Sequence, residues 1–105
     1  MKKFYLLFFI LFFSTAAHAE DYVISIKDHK FSPEKLTIPA NQKIKLIVKN
    51  LDSTIIEFES EDLSREKIVA GNSQAIIFIG PLKVGEYKYF DDFRSKTSKG
   101  SIIVK

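Results

Sequence analysis

Five carboxylates and one guanidinium carry most of the chemistry open to this chain: Glu57, Glu59, Glu66, Asp91, Asp92 and Arg94. Glu57 and Glu59 flank Phe58, a spacing of two that puts both on one side of an extended strand. Carboxylate oxygens are hard donors, suited to iron, manganese, calcium or magnesium rather than to Cu(I). Brought together, they repel one another and raise their own pKa values unless a cation or an arginine offsets them. The same residues also read as ordinary surface. Glu57 and Glu59 alternate with apolar neighbours, Asp91-Asp92 is a common loop pair that Arg94 could neutralise at little energetic gain, and Glu66 sits between Arg65 and Lys67. The choice turns on whether the fold brings residues so far apart in sequence to one place.

Other chemistries lack their residues. The chain has no Cys and a single Met, Met1. Thiol catalysis, disulfide exchange and Cys-ligated zinc or copper are therefore excluded. No Ser-His-Asp set, phosphate-cradling glycine loop or paired-His motif is present, so a binding protein is expected rather than an enzyme. Of the two histidines only His29 lies beyond the first nineteen residues, in a Lys27-Asp28-His29-Lys30 turn where a solvated role is the ordinary expectation.

Residues 1–19 read as a cleavable signal peptide. Lys2 and Lys3 precede an apolar run from Phe4 to Phe13, and Ala17-His18-Ala19 supplies a small-x-small cleavage pattern. That run is too short to span a bilayer, which takes about 20 residues. Removing 19 residues from 105 leaves 86, one small domain over 20–105, expected to be exported and to have no membrane span. Losing Lys2 and Lys3 also takes Lys+Arg from 16 to 14 against 13 Asp+Glu, a net of about +1. A near-neutral domain gives no electrostatic case for nucleic acid binding.

The elements that must position the acids are short strands. Lys43–Asn50 alternates Ile44, Leu46 and Val48 against Lys43, Lys45 and Lys49, and Thr54–Glu59 alternates likewise. Tyr22–Ile26, Tyr87–Phe90 and Ser101–Lys105 add further strands. Gln74–Ile79 is apolar on both faces and predicts a central, covered strand. The three lysines of Lys43–Lys49 predict a solvated face that blunts edge pairing. Turn signals fall at Phe31-Ser32-Pro33-Glu34, Ile38-Pro39-Ala40-Asn41-Gln42, Asn50–Ser53, Gly71-Asn72 and Gly80-Pro81, and one helical turn is expected around Ser60–Glu66. Six or seven such strands predict an all-β, two-sheet antiparallel sandwich.

The stretch Phe31–Asn50 resembles the opening of a cupredoxin: an aromatic and a Pro, an extended stretch, a Pro39-Ala40-Asn41 turn, an apolar strand and a closing Asn. Asn41 stands where that turn usually has Gly and should adopt a left-handed backbone. Gly85-x-Tyr87 and Gly100-x-Ile102-x-Val104 match the family's final hairpin. Glu57–Ser60, Arg65-Glu66-Lys67 and Ile79–Leu82 resemble a narrower, EfeO-type group of cupredoxin-like proteins associated with bacterial periplasmic iron uptake. The resemblance implies a Greek-key cupredoxin-like sandwich. It places the copper thiolate position at or near Asp91, the downstream His position at Arg94 and the axial Met position around Thr97 or Ser98, so no blue-copper site is expected. It also implies that the strand with Glu57 and Glu59 ends near the loop with Asp91 and Asp92, with Glu66 alongside. Glu57, Glu66 and Asp91 would then be direct ligands of a metal ion, iron or copper foremost, Glu59 and Asp92 exchange ligands, and Arg94 a modulator of the charge. Tyr87, Tyr89, Phe90 and Phe93 are expected to cluster around that site. The implied partners are an iron-uptake permease or a second periplasmic iron-binding protein. The alternative is a metal-free module docking on a transporter or oxidase.

Overall fold

The computed structural model describes residues 19–105, so the expected signal peptide lies outside the described residues apart from Ala19. Nine strands follow in order: β1 (Glu20–Lys27), β2 (Lys30–Ser32), β3 (Lys35–Ile38), β4 (Ile44–Asn50), β5 (Ile56–Ser60), β6 (Arg65–Val69), β7 (Ser73–Ile79), β8 (Gly85–Asp91) and β9 (Lys99–Val104). A 3-10 turn, Asp92–Arg94, is the one helical element among the described residues. Two sheets form, ordered β2-β1-β4-β7 and β3-β9-β8-β5-β6. The sheets are mixed rather than purely antiparallel, because β1 pairs parallel with β4 and β3 parallel with β9. Parallel neighbours need a crossover. Between β1 and β4 the chain passes through β2 and β3, one in each sheet, and between β3 and β9 it passes through β4 to β8.

The core lies between the sheets and is built from the inward half of each alternating strand. Ile44, Leu46 and Val48 of β4 and Ile56 and Phe58 of β5 are fully buried, and they share one core cluster with Ile24, Ile26, Ile102 and Val104. An aromatic trio anchors one end. Tyr89 stacks on Phe58 at 5.0 Å between ring centroids, and Phe31 meets both rings edge-on. Such pairs add about 0.5–1.5 kcal/mol each beyond the area they bury. Asn41 takes φ = 60°, the left-handed backbone expected of it, and its amide donates to the Leu82 carbonyl.

Three local expectations need correction. Ser60–Glu66 is a tight turn followed by a strand, not a helical turn. Ser60 Oγ accepts from the Leu63 amide, Ser64 has φ = 52°, and the chain then enters β6 as an extended hairpin arm. β7 is an edge strand, with Ile76 and Phe78 left 44% and 49% exposed, not the covered centre its two apolar faces suggest. Lys43 Nζ caps the Phe78 ring at 5.0 Å and Arg65 Nε donates to the Phe78 carbonyl, so part of that edge is covered by side chains from elsewhere. Conversely β4 is interior to its sheet, so Lys45 and Lys49 protect no edge; Lys45 reaches Asp21 of β1 at 4.0 Å.

Candidate metal centre

β5 decides which acids meet. Its alternation buries Ile56, Phe58 and Ser60 and turns Glu57 and Glu59 to the outer face of the five-stranded sheet. The β5–β6 register sets Glu59 directly opposite Glu66 and Glu57 opposite Ile68. Two like charges opposed across strands are unfavourable. On the other flank Phe58 pairs with Asp91 and Glu59 with Phe90, so β8 ends beside β5 and the turn that follows brings Asp92 to the same outer face. One oxygen each from Glu57, Glu59 and Asp92 lies within 4.8 Å of the other two. An ion with metal–oxygen bonds of about 2.3–2.6 Å spans such a gap directly, and a smaller one needs only modest side-chain rotation.

The electrostatics match the crowding. Glu57 is pushed up from its ordinary 4.5 to about 7, first by a hydrogen bond shared with the Glu66 carboxyl, then by partial desolvation and by the charges of Glu66, Asp92 and Glu59. Glu59 is also raised, by desolvation first and then by Asp92 and Glu66. Beside the cluster, a shallow depression of about 270 Å³ is lined by Glu59, Glu61, Arg65 and Glu66. A larger surface cavity of about 360 Å³, with Lys35, Lys88 and Lys99 among its walls, lies farther along the same sheet and includes none of the five acidic candidates.

Asp91 does not join them. As the last residue of β8 it points inward and is fully buried. Its Oδ1 accepts from the Glu57 and Phe93 amides, each at 3.1 Å, and so caps the 3-10 turn. Asp91 is the last residue of β8 and Asp92 the first of the 3-10 turn, so one is held in the core and the other is turned to solvent. Arg94 sets its guanidinium 3.8 Å from Asp91 Oδ2, so it pairs with a buried acid and not with a surface loop pair. The aromatics divide between core and surface. Tyr89 belongs to the core, where burial pushes its phenol pKa up, while Phe93 stands 51% exposed.

His29 turns toward Asp52, with Nδ1 3.6 Å from Asp52 Oδ2, and not toward Glu57 and Glu59. Asp52 went unnoticed in the sequence as a structural acid. It accepts the backbone amides of Asp28 and His29 and so holds a turn in which both residues have positive φ. Those bonds, His29 first, hold its carboxyl below the ordinary range, with Arg94 adding to the effect. The signal was there in Asn50-Leu51-Asp52: the Asp52 amide donates to Asn50 Oδ1, an Asx-type turn.

A sequence profile of the Cupredoxin-like domain matches residues 3–104. The chain belongs to this cupredoxin-like family. An uncharacterized protein of Rickettsia prowazekii (strain Madrid E) is 52% identical over 81 residues, 77% of this chain, which spans 65% of that relative's length. Among solved structures, auracyanin A, a blue copper protein of Chloroflexus aurantiacus, superposes with a TM-score of 0.70 at 14% identity, covering 84% of this chain and all of that one. Auracyanin B gives 0.71 at 12% identity over 83% and 89% of the two chains. The metal-binding domain of a Cu(I)-exporting P-type ATPase from Streptococcus pneumoniae D39 gives 0.68 at 14% over 81% and 84%. At these identities the likeness is one of fold.

A soft copper centre does not fit the residues of this cupredoxin-like domain. It would need thiolate and imidazole donors. The chain has no Cys, and His29, its one imidazole among the described residues, faces Asp52. Asp91 is not free to serve as a ligand, with one oxygen committed to two amides and a guanidinium beside the other.

Proposed function

We propose that this cupredoxin-like domain is an exported, periplasmic metal-binding protein that takes a hard cation, iron foremost, on Glu57, Glu59 and Asp92, with Glu66 as a fourth carboxylate within reach. It acts as a binder or relay in a bacterial iron-uptake system, passing its ion to a permease or a second periplasmic iron-binding protein, and performs no turnover of its own. The observation that carries this reading is the convergence of three carboxylate oxygens within 4.8 Å. Without a counter-cation that crowding keeps Glu57 raised to about 7, and a bound ion would relieve it. No helix among the described residues is long and apolar enough to cross a membrane. The copper proteins among its structural neighbours, auracyanin A and the metal-binding domain of the Cu(I)-exporting ATPase, lend support to a metal-related role. Calorimetric titration of the purified protein with Fe(II), Fe(III), Mn(II), Ca(II) and Cu(II) tests it, with Glu59→Gln as the control. Silence from every metal at neutral pH removes the binding role.

A second reading is a metal-free module that docks on a transporter or oxidase. Exposed Ile68 and Phe93, at 49% and 51%, favour it by setting apolar surface on β6 and the 3-10 turn beside the acids. Under that reading, association with the partner survives Glu57→Gln with Glu59→Gln.

A further inference from the structure

We propose that Arg94 is the resident cation of the loop between β8 and β9, a permanent internal counter-charge that holds this pole of the sandwich together as a bound metal ion would. The argument begins with Asp91. Its side chain has no solvent exposure, Oδ1 is occupied by the Glu57 and Phe93 amides, and Oδ2 has no hydrogen-bond partner. A buried carboxylate left in that state is strongly unfavourable unless positive charge stands near it. Arg94 supplies that charge at 3.8 Å from Oδ2, with its own side chain only 35% exposed. A guanidinium does not deprotonate, so the compensation cannot be lost as an ion would be.

The backbone holds this cation in place. The Arg94 carbonyl accepts the Thr97 and Ser98 amides, which closes the loop between β8 and β9 on itself. The Asp91 amide donates to the Ser98 carbonyl, and Ser98 Oγ donates to the His29 carbonyl. His29 belongs to the turn that Asp52 clasps, and the charge of Arg94 reaches Asp52 as well. Three segments, 28–29, 50–52 and 91–98, are thus joined through two acids and one fixed positive charge. A metal ion would join loops in the same way by collecting ligands from each; here no ligand has to arrive from outside. The pole is complete without metal, and any metal chemistry is left to the carboxylates on the outer face of the sheet.

This inference does not depend on metal binding by Glu57 and Glu59, and the test separates the two. Amide hydrogen exchange at Glu57 and Phe93 reports the state of the pole. In the wild type, excess EDTA leaves both amides as protected as before, and so does Glu57→Gln with Glu59→Gln. Arg94→Met keeps the aliphatic stem but removes the charge, and exchange at both amides quickens by about tenfold or more. Arg94→Lys restores most of the protection. Should Arg94→Met fail to fold while Arg94→Lys folds, that contrast establishes the need for the charge. Three results overturn the inference: loss of protection in the wild type on adding EDTA, wild-type protection in Arg94→Met, or equal failure of the Met and Lys variants.

Discussion

Replacing Asp91 by Ala tests the inward assignment of this acid against its reading as a ligand. The substitution removes the acceptor of two backbone amides, Glu57 N and Phe93 N, each 3.1 Å from Oδ1. A hydrogen bond to a charged acceptor contributes about 1.5–3 kcal/mol. Both bonds are only part-buried, so the lower half of that range applies to each. The N-cap contribution of about 1 kcal/mol is the same Phe93 bond counted another way and is not added. The expected loss is about 3–4.5 kcal/mol, which for a domain of this size lowers Tm by about 12–36 °C. Asp91→Asn keeps a neutral carbonyl acceptor and should cost about 1 kcal/mol. Asp92→Ala, at an exposed position, should stay within about 0.5 kcal/mol. Urea denaturation gives all three, with an unchanged m-value confirming that stability alone has moved. Equal costs at 91 and 92 would refute the reasoning. So would an Asp91→Asn protein that unfolds like the wild type but has lost its metal affinity, since Asp91 would then be a ligand.

Further outcomes follow from the same geometry. Glu59→Gln should weaken Mn(II) or Fe(II) binding by about tenfold or more in calorimetry while leaving the urea midpoint unchanged or raised, because it relieves the opposition to Glu66. The Glu57 carboxyl, raised in the folded protein to about 7, keeps its proton over a window where the unfolded chain releases it near 4.5. Its contribution to stability is therefore complete below about 4.5 and lost as pH rises through 7; metal-free thermal melts should decline across that window and Glu57→Gln should flatten the decline. Asp52, held below its ordinary 3.8, works in the opposite sense: its contribution is present above that value and lost at more acid pH, and Asp52→Asn should remove the acid-side dependence. Phe58→Ala, which empties a fully buried site stacked on Tyr89, should cost about 3–5 kcal/mol in the same denaturation assay.

The strands whose side chains divide cleanly between core and water were legible in the chain alone. β4 and β5 alternate apolar with charged residues, and a period of two can mean little else. β2 and β6 could not be read the same way. Lys30-Phe31-Ser32 is too short for a period, and Arg65–Val69 is exposed at four of its five positions because it forms a sheet edge. β7 misleads for the opposite reason: Ile76 and Phe78 are apolar but face outward, so composition suggests cover that the topology does not provide. For the acids, residue type and the β5 spacing were enough to nominate Glu57 and Glu59 as a pair. The split between Asp91 and Asp92 could not be seen, because it depends on where β8 stops and on which face its last residue points. That is set by the pairing of Phe58 with Asp91, a contact between segments far apart in the chain. Tertiary register, not local preference, separates a capping group from a candidate ligand.

β9 is an interior strand, lodged between β3 and β8, although it follows both in sequence order. Until Lys99–Val104 is delivered, β3 has no neighbour in its sheet and β8 is joined to β5 alone. The sheet that carries the acids is therefore finished only when the last of its five strands in sequence order is in place. A chain lacking Lys99–Val104 would keep β2-β1-β4-β7 and β8-β5-β6 but leave β3 unpaired, so the loss of six residues would break the five-stranded sheet in its interior rather than shorten it.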